Sequence, residues 1–335
     1  MNKITPRLPA MPAIVRAAAF SALAMTGLQS LVAQAAETYP SKPVKLVVPY
    51  PPGGGTDIIA RVVTNRLTET LKQTFLVENQ GGAGGVVGTQ MVARSAPDGY
   101  TLLFGTSAGL VINPLITKTP LPYDSIKDFA PVSLLYRSPM LVVVINSLPV
   151  NSVKDLIAYA KKEPGKLNYA SAGIGAPNHV ATELFKFMTG TDIVHIPFKG
   201  FAPGIADMLG GQVQIMFNPV TGLLPYVKSG KVRPLGVSAQ QRVSSLPDVP
   251  TIAEAGVPGY EYDLWYSIVA PAKTPMPVIR TLNAEIVKII AEPDTAVKFA
   301  GGEPTSSTPE GLAKIIRDEF DRLGKVVKAA NITAE

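Results

Sequence analysis

PVKLVVPYPPGGGTDIIARVV, residues 43–63, decides the fold class. Its first seven residues form an apolar run rich in Val, which is how a buried strand reads. Pro51-Pro52-Gly53-Gly54-Gly55-Thr56-Asp57 is a sharp turn. Ile58, Ile59, Val62, Val63 and Leu67 then recur at helical spacing, with Thr56 or Asp57 placed to cap the helix. The same order repeats at once. Residues 75–78 are a strand, 79–88 (NQGGAGGVVG) a second glycine-rich turn, 87–93 a helix and 101–105 a third strand. This series predicts βαβ units and a parallel sheet.

A second series fills the middle third. Strands are expected at 141–145, 167–171, 193–196 and 213–217, with helices at 152–162, 178–188 and 202–209 between them. WYSIVA, 265–270, is one more strand, and helices near 277–291 and 309–329 close the chain. The arrangement that fits is an α/β chain of two lobes. Residues 37–138 with 260–335 form the first, and residues 139–259 form a second lobe inserted into it. Such lobes place a ligand in the crevice at the carboxyl ends of their strands and close on it about a hinge.

The N-terminus reads as an export signal. Lys3, Arg7 and Arg16 precede or flank the uncharged run AAAFSALAMTGLQSLVA (17–33), and Ala33-Gln34-Ala35 is a small-x-small cleavage site. Residues 1–35 are therefore expected to be a signal peptide, and no Cys follows to carry a lipid anchor. The signal holds three of the 31 basic residues, so 28 basic against 25 acidic leave the mature chain at +3. That balance, with no Lys/Arg run, argues against nucleic acid as a partner. Zero cysteines and two histidines leave no disulfide, thiol nucleophile or His-rich metal site to build, and no metal or other cofactor is expected.

The chemistry-bearing candidates sit at the predicted strand ends. The loop Gly53, Gly54, Gly55, Thr56, Asp57 reads as an anion cradle at a helix N-terminus or as a plain strand–helix turn. The second loop, with Ala83, Gly84 and Gly85, repeats the device. It misses the dinucleotide fingerprint, since from Gly82 the third glycine falls on Val87. Thr106 and Ser107, and Ser171, Ala172 and Gly173, put small hydroxyls and amides where a ligand oxygen could sit, or simply cap helices. Asn178 and His179 open a helix, and His179 reads as a carboxylate donor or a cap. His195 reads as a half-buried, satisfied histidine, and Trp265 as pocket wall or core. No Gly-x-Ser-x-Gly elbow and no spaced carboxylate pair appears, so catalysis is not expected.

A run of motifs then carries a resemblance: YPSKP (39–43), PGGGTD (52–57), ENQGGAGGVVG (78–88), APDGYTLL (96–103), LPYD (121–124), KDF (127–129), PGKLNYAS (164–171), GGQVQ (210–214) and LPDVPT (246–251). At this spacing the chain resembles the solute-binding receptors of tripartite tricarboxylate transporters, also called Bug receptors. The resemblance implies a two-lobed type II periplasmic-binding-protein (Venus-flytrap) fold in a Gram-negative periplasm. It implies a small organic carboxylate as ligand and two integral-membrane transporter subunits as partners. It further implies that Gly53 to Asp57 and Ala83 to Gly88 grip one ligand carboxylate, with Ser171 to Gly173, Asn178 and His179 facing them. Many relatives have Asp where this chain has Asn218, which points to a ligand without an amino group. A monomer is the expected state. Signalling to a sensor kinase, or a hydrolase or lyase on the same fold, are the alternatives.

Overall fold

The computed structural model describes residues 39–53, 55–198, 200–294 and 302–333. The chain divides into two compact units, residues 1–41 and 42–335. The first is described only at residues 39–41, so the expected signal peptide lies outside the described residues. Everything below concerns the second.

β1 (Val44–Val48) lies between β2 (Phe75–Asn79) and β3 (Thr101–Thr106), parallel to both. Val44, Leu46, Val47 and Val48 are all buried, as expected of a strand covered on both faces. α1 (Gly55–Leu71) follows β1, and α2 (Val86–Ala93) follows β2. The expected parallel sheet ends there. β3 pairs antiparallel with β9 (Asp263–Pro271), which pairs antiparallel with β4 (Phe129–Ile145).

β4 organises the rest. Its 17 residues span about 55 Å at about 3.3 Å per residue. Phe129 to Pro139 pair with β9, and Tyr136 and Arg137 also with the short β10 (Glu303–Pro304). From Met140 onward the partners change to β7 (Ile215–Pro219) and β8 (Val232–Val237), both antiparallel. Pro139, which has no amide to donate, stands where the ladder changes hands. β5 (Asn168–Ser171) then runs parallel to β7 and to the edge strand β6 (Val194–Pro197). The result is a mixed ten-stranded sheet with two halves joined through β4.

Helices clad it: α3 (Asn113–Ile116), α4 (Val153–Lys162), α5 (Pro177–Thr189), α6 (Phe201–Leu209), α7 (Val220–Lys228), α8 (Met276–Ala291) and α9 (Pro309–Ala329). α9 is capped by Thr308, whose hydroxyl accepts from the Gly311 amide at 3.0 Å. It buries Leu312, Ile316, Glu319, Leu323, Val326 and Val327 as one helical face. That face joins Val47, Leu103, Leu134, Trp265, Phe217 and Tyr260 in a core common to both halves of the sheet. A smaller cluster around Leu141, Val143, Met216 and Val220 covers the other face of the second half. Among the described residues no helix is long and apolar enough to cross a membrane.

Candidate ligand cleft

Three strand tips meet at one end of the first half-sheet. After β1 the chain turns through Tyr50-Pro51-Pro52-Gly53, with Gly53 at φ +85°. Asp57, in the first turn of α1, fastens this loop. Its carboxylate accepts the Gly53 amide and Arg61 Nε at 3.0 Å each, and the Asn79 side-chain amide at 3.0 Å. The Arg61 hydrogen bond, foremost, holds this buried carboxyl below its usual range against the opposing effect of burial. Asp57 is thus a buried clasp, and the Gly53 amide is already used. Gly54 lies outside the described residues. Gly55 opens α1, whose first amides have no partner within the helix.

After β2 four consecutive residues have positive φ: Gly82, Ala83, Gly84 and Gly85 at +133°, +45°, +64° and +98°. Only Ala83 is strained by this, because it carries a Cβ. The Gly85 amide donates to the Gly82 carbonyl at 2.9 Å, and Asn113 Nδ2 to the Gly84 carbonyl at 3.0 Å. Gly88 is required by contact, since a Cβ there would stand 2.7 Å from the Gln80 carbonyl oxygen and 3.0 Å from Pro49 Cα. After β3, Thr106 Oγ1 accepts from the Gly109 amide and bonds the Tyr50 hydroxyl, both at 3.0 Å. Ser107 Oγ accepts from the Trp265 amide at 3.4 Å.

An open cleft of about 620 Å³ lies over these tips. Tyr50, Pro51, Pro52 and Gly53 line it from the first loop, Thr56 from the first turn of α1, Thr106 from the end of β3, Ser107 and Ala108 from the turn after it, and Leu264 and Tyr266 from β9; Pro177 at the start of α5 faces it from the second half. Of the residues singled out in the sequence, Gly53, Thr56, Thr106 and Ser107 come together here. Ala83, Gly84 and Gly85 stand beside the lining, where a Cβ on Gly85 would meet the Tyr50 ring at 3.4 Å. Trp265 is 0% exposed and donates its indole N–H to Glu319 at 2.7 Å, so it belongs to the core beneath the cleft. Its neighbours Leu264 and Tyr266 point the other way, as strand alternation requires. That alternation is the signal by which sequence alone could have separated Trp265 from Tyr266.

The middle-third candidates form a second group at the tip of β5. The Ala172 amide donates to Asn178 Oδ1 at 3.1 Å, and the Gly173 amide to Ser171 Oγ at 3.1 Å. Asn178 Nδ2 reaches Asn218 Oδ1 at 3.4 Å. The Gly175 amide donates to His179 Nδ1 at 3.0 Å, which makes Nδ1 the acceptor and Nε2 the protonated nitrogen of the neutral ring. Ser171 Oγ lies 2.6 Å from His195 Nε2. The two imidazoles stack at 4.1 Å, with Tyr169 against His195 at 4.8 Å. Burial, foremost, pushes both histidines down to about 4; the Lys186 charge lowers His179 further, while His179 and Lys186 lower His195 against the opposing pull of Glu183. These candidates are therefore engaged locally in three separate sets: Ser171 with Gly173 and His195, Asn178 with Ala172 and Asn218, and His179 with Gly175. Pro177 is the residue of this region that reaches the cleft lining. Among the described residues no group of three or more His, Cys, Asp or Glu could hold a metal ion.

Comparison with known proteins places this geometry. The family model for the tripartite tricarboxylate transporter family receptor matches residues 59–332. R. palustris Rpa4515 with adipate is 38% identical, with a TM-score of 0.71 over 88% of this chain and 99% of that one. MatC from Rhodopseudomonas palustris with bound malate is 32% identical, with a TM-score of 0.67 over 86% and 100%. A solute-binding protein from Polaromonas with no ligand is 27% identical, yet has a TM-score of 0.80 over 87% and 100%. The fold is accordingly the two-lobed α/β fold of type II periplasmic binding proteins. The chain belongs to the tripartite tricarboxylate transporter receptor family of periplasmic solute-binding receptors.

Proposed function

We propose that this receptor captures a small organic carboxylate between two lobes, residues 37–138 with 260–335 and the inserted 139–259, and delivers it to the two membrane subunits of a secondary transporter. It does so as a monomer, after its signal peptide is removed, and without chemical change to the ligand. The observation that carries this reading is the cleft of about 620 Å³ at the N-terminus of α1. First-turn amides and the positive end of a 17-residue helix favour a carboxylate there. The Thr56, Thr106 and Ser107 side chains line the same space. Adipate and malate in the relatives support the ligand class.

The cleft is lined almost wholly from one side, and the unliganded relative superposes more closely than the two liganded ones despite its lower identity. Both features fit an open form awaiting closure. A ligand shifts that equilibrium only by binding the closed form better, which requires contacts to both lobes. Thermal unfolding of the mature, ligand-stripped protein with adipate, malate, citrate, benzoate and glutamate tests the reading. A bound acid at a hundredfold excess over Kd stabilises by about 2.7 kcal/mol and raises Tm visibly. No shift with any of the five acids refutes it.

The Ser171–His195 contact of 2.6 Å favours one competing reading, a hydrolase. Ser171 is buried, does not line the cleft, and also bonds Gly173. On the receptor reading the wild type turns over no bound acid, and Ser171→Ala changes nothing in that respect. Turnover abolished by Ser171→Ala would establish the hydrolase instead.

A further inference from the structure

We infer that the cleft selects carboxylates whose body is bare hydrocarbon, ring or chain, against those of the same length carrying a hydroxyl or ammonium group. The inference rests on the carboxylate reading above and deepens it.

The walls come first. Pro51, Pro52, Ala108, Pro177 and Leu264 offer the ligand only carbon side chains. Among the described residues, none that lines the cleft is Asp, Glu, Lys, Arg or His. Apolar walls with a few placed polar groups bind a ligand body through burial and orient it through those groups.

The polar groups are few, and most are already engaged. Thr106 Oγ1 serves the Gly109 amide and the Tyr50 hydroxyl, and Ser107 Oγ takes the Trp265 amide. The carboxylate next to the lining, Asp57, has its oxygens occupied by Gly53, Arg61 and Asn79, so it has little capacity left for an ammonium group. In the second half, Asn178 and Asn218 bond each other and are both neutral. Among the described residues, what stays open is the first turn of α1, the Thr56 and Tyr266 hydroxyls, and the O–H of Ser107, whose oxygen only accepts from Trp265. These suit one carboxylate group. A further hydroxyl or ammonium on the ligand body would lose its water on closure and meet carbon. An unpaired polar group buried in this way weakens binding about tenfold or more.

Calorimetric titration of the mature, ligand-stripped protein with matched acids tests this: phenylacetate against mandelate, and glutarate against 2-hydroxyglutarate and glutamate. Within each set the unsubstituted acid is expected to bind tenfold or more tighter. The Leu264→Asn variant, which brings an amide into the wall, is expected to narrow the glutarate to 2-hydroxyglutarate ratio, with a Tm near wild type showing that it folds. A wild-type ratio below tenfold, or a reversed one, overturns the selectivity while leaving the receptor reading in place. Failure of every acid to bind removes both.

Discussion

Replacing Glu319 by Gln changes one buried atom group and should change the pH dependence of stability in a defined window. Glu319 lies on α9, 7% exposed, and accepts the Trp265 indole N–H at 2.7 Å. The groups facing it are Trp265 and Asp263 from β9, Arg322 one turn along α9 at 3.8 Å, Arg137 from β4 and the Tyr262 hydroxyl. Burial outweighs the Trp265 hydrogen bond and the two arginines, and lifts the carboxyl from 4.5 to about 7. The folded protein therefore holds a proton that the unfolded chain has released between these values. Stability from this group is full below about pH 4.5, falls as pH rises, and levels off above about 7. At about 1.4 kcal/mol per pH unit the loss is about 3 kcal/mol. Gln keeps an acceptor for Trp265 and does not titrate. Urea unfolding at pH 4.5, 6, 7 and 8 should show Glu319→Gln gaining on the wild type by about 3 kcal/mol between the ends of that range. Titrating groups that do not couple to Glu319 cancel in the difference. A difference that is flat with pH refutes the argument.

The two stacked histidines act with the opposite sign. Their folded values, pushed down to about 4, mean that stability present above about pH 6.5 is lost as pH falls toward 4. His195→Gln should reduce that acid loss, read by urea unfolding between pH 4 and 6.5. Gly88→Ala forces a Cβ against backbone atoms of Gln80 and Pro49 that cannot swing aside. It should cost about 1–3 kcal/mol by thermal or urea unfolding. Ala83→Gly relieves the one non-glycine residue in the positive-φ run after β2 and should stabilise by about 0.5–1 kcal/mol in the same assay.

The elements legible in the sequence were those with clean punctuation. β1, the Gly53 turn and α1 stand where apolar run, glycines and helical spacing put them, and α9 occupies residues 309–329 as its periodicity predicts. Proline hid the rest. β4 runs through Pro131 and Pro139, β8 contains Pro234 and α7 contains Pro225, so 129–140, 220–228 and 232–237 did not read as continuous elements. In β4 and β8 the ladder tolerates them through register shifts, between Pro131 and Ser133 and between Val142 and Val143. The antiparallel direction of β4 and β9 was not legible because direction belongs to the path of the chain and not to a strand's own residues. At the cleft, glycine loops marked the place but not the donors. The Gly53 amide went to Asp57 and the Gly85 amide to Gly82, a pairing that depends on side chains and turns folding back locally. The prolines and Leu264 that build the walls carry no motif, because an apolar wall is recognised only once its elements are assembled.

The most direct test of the whole account is a crystal structure of the mature protein grown with saturating adipate. The account predicts one carboxylate of adipate at the first turn of α1, within hydrogen-bond distance of its amides or of the Thr56 and Ser107 hydroxyls, with the segment bearing Pro177 drawn onto the ligand. Adipate seated elsewhere on the protein, with this cleft still open and solvent-filled, would contradict it.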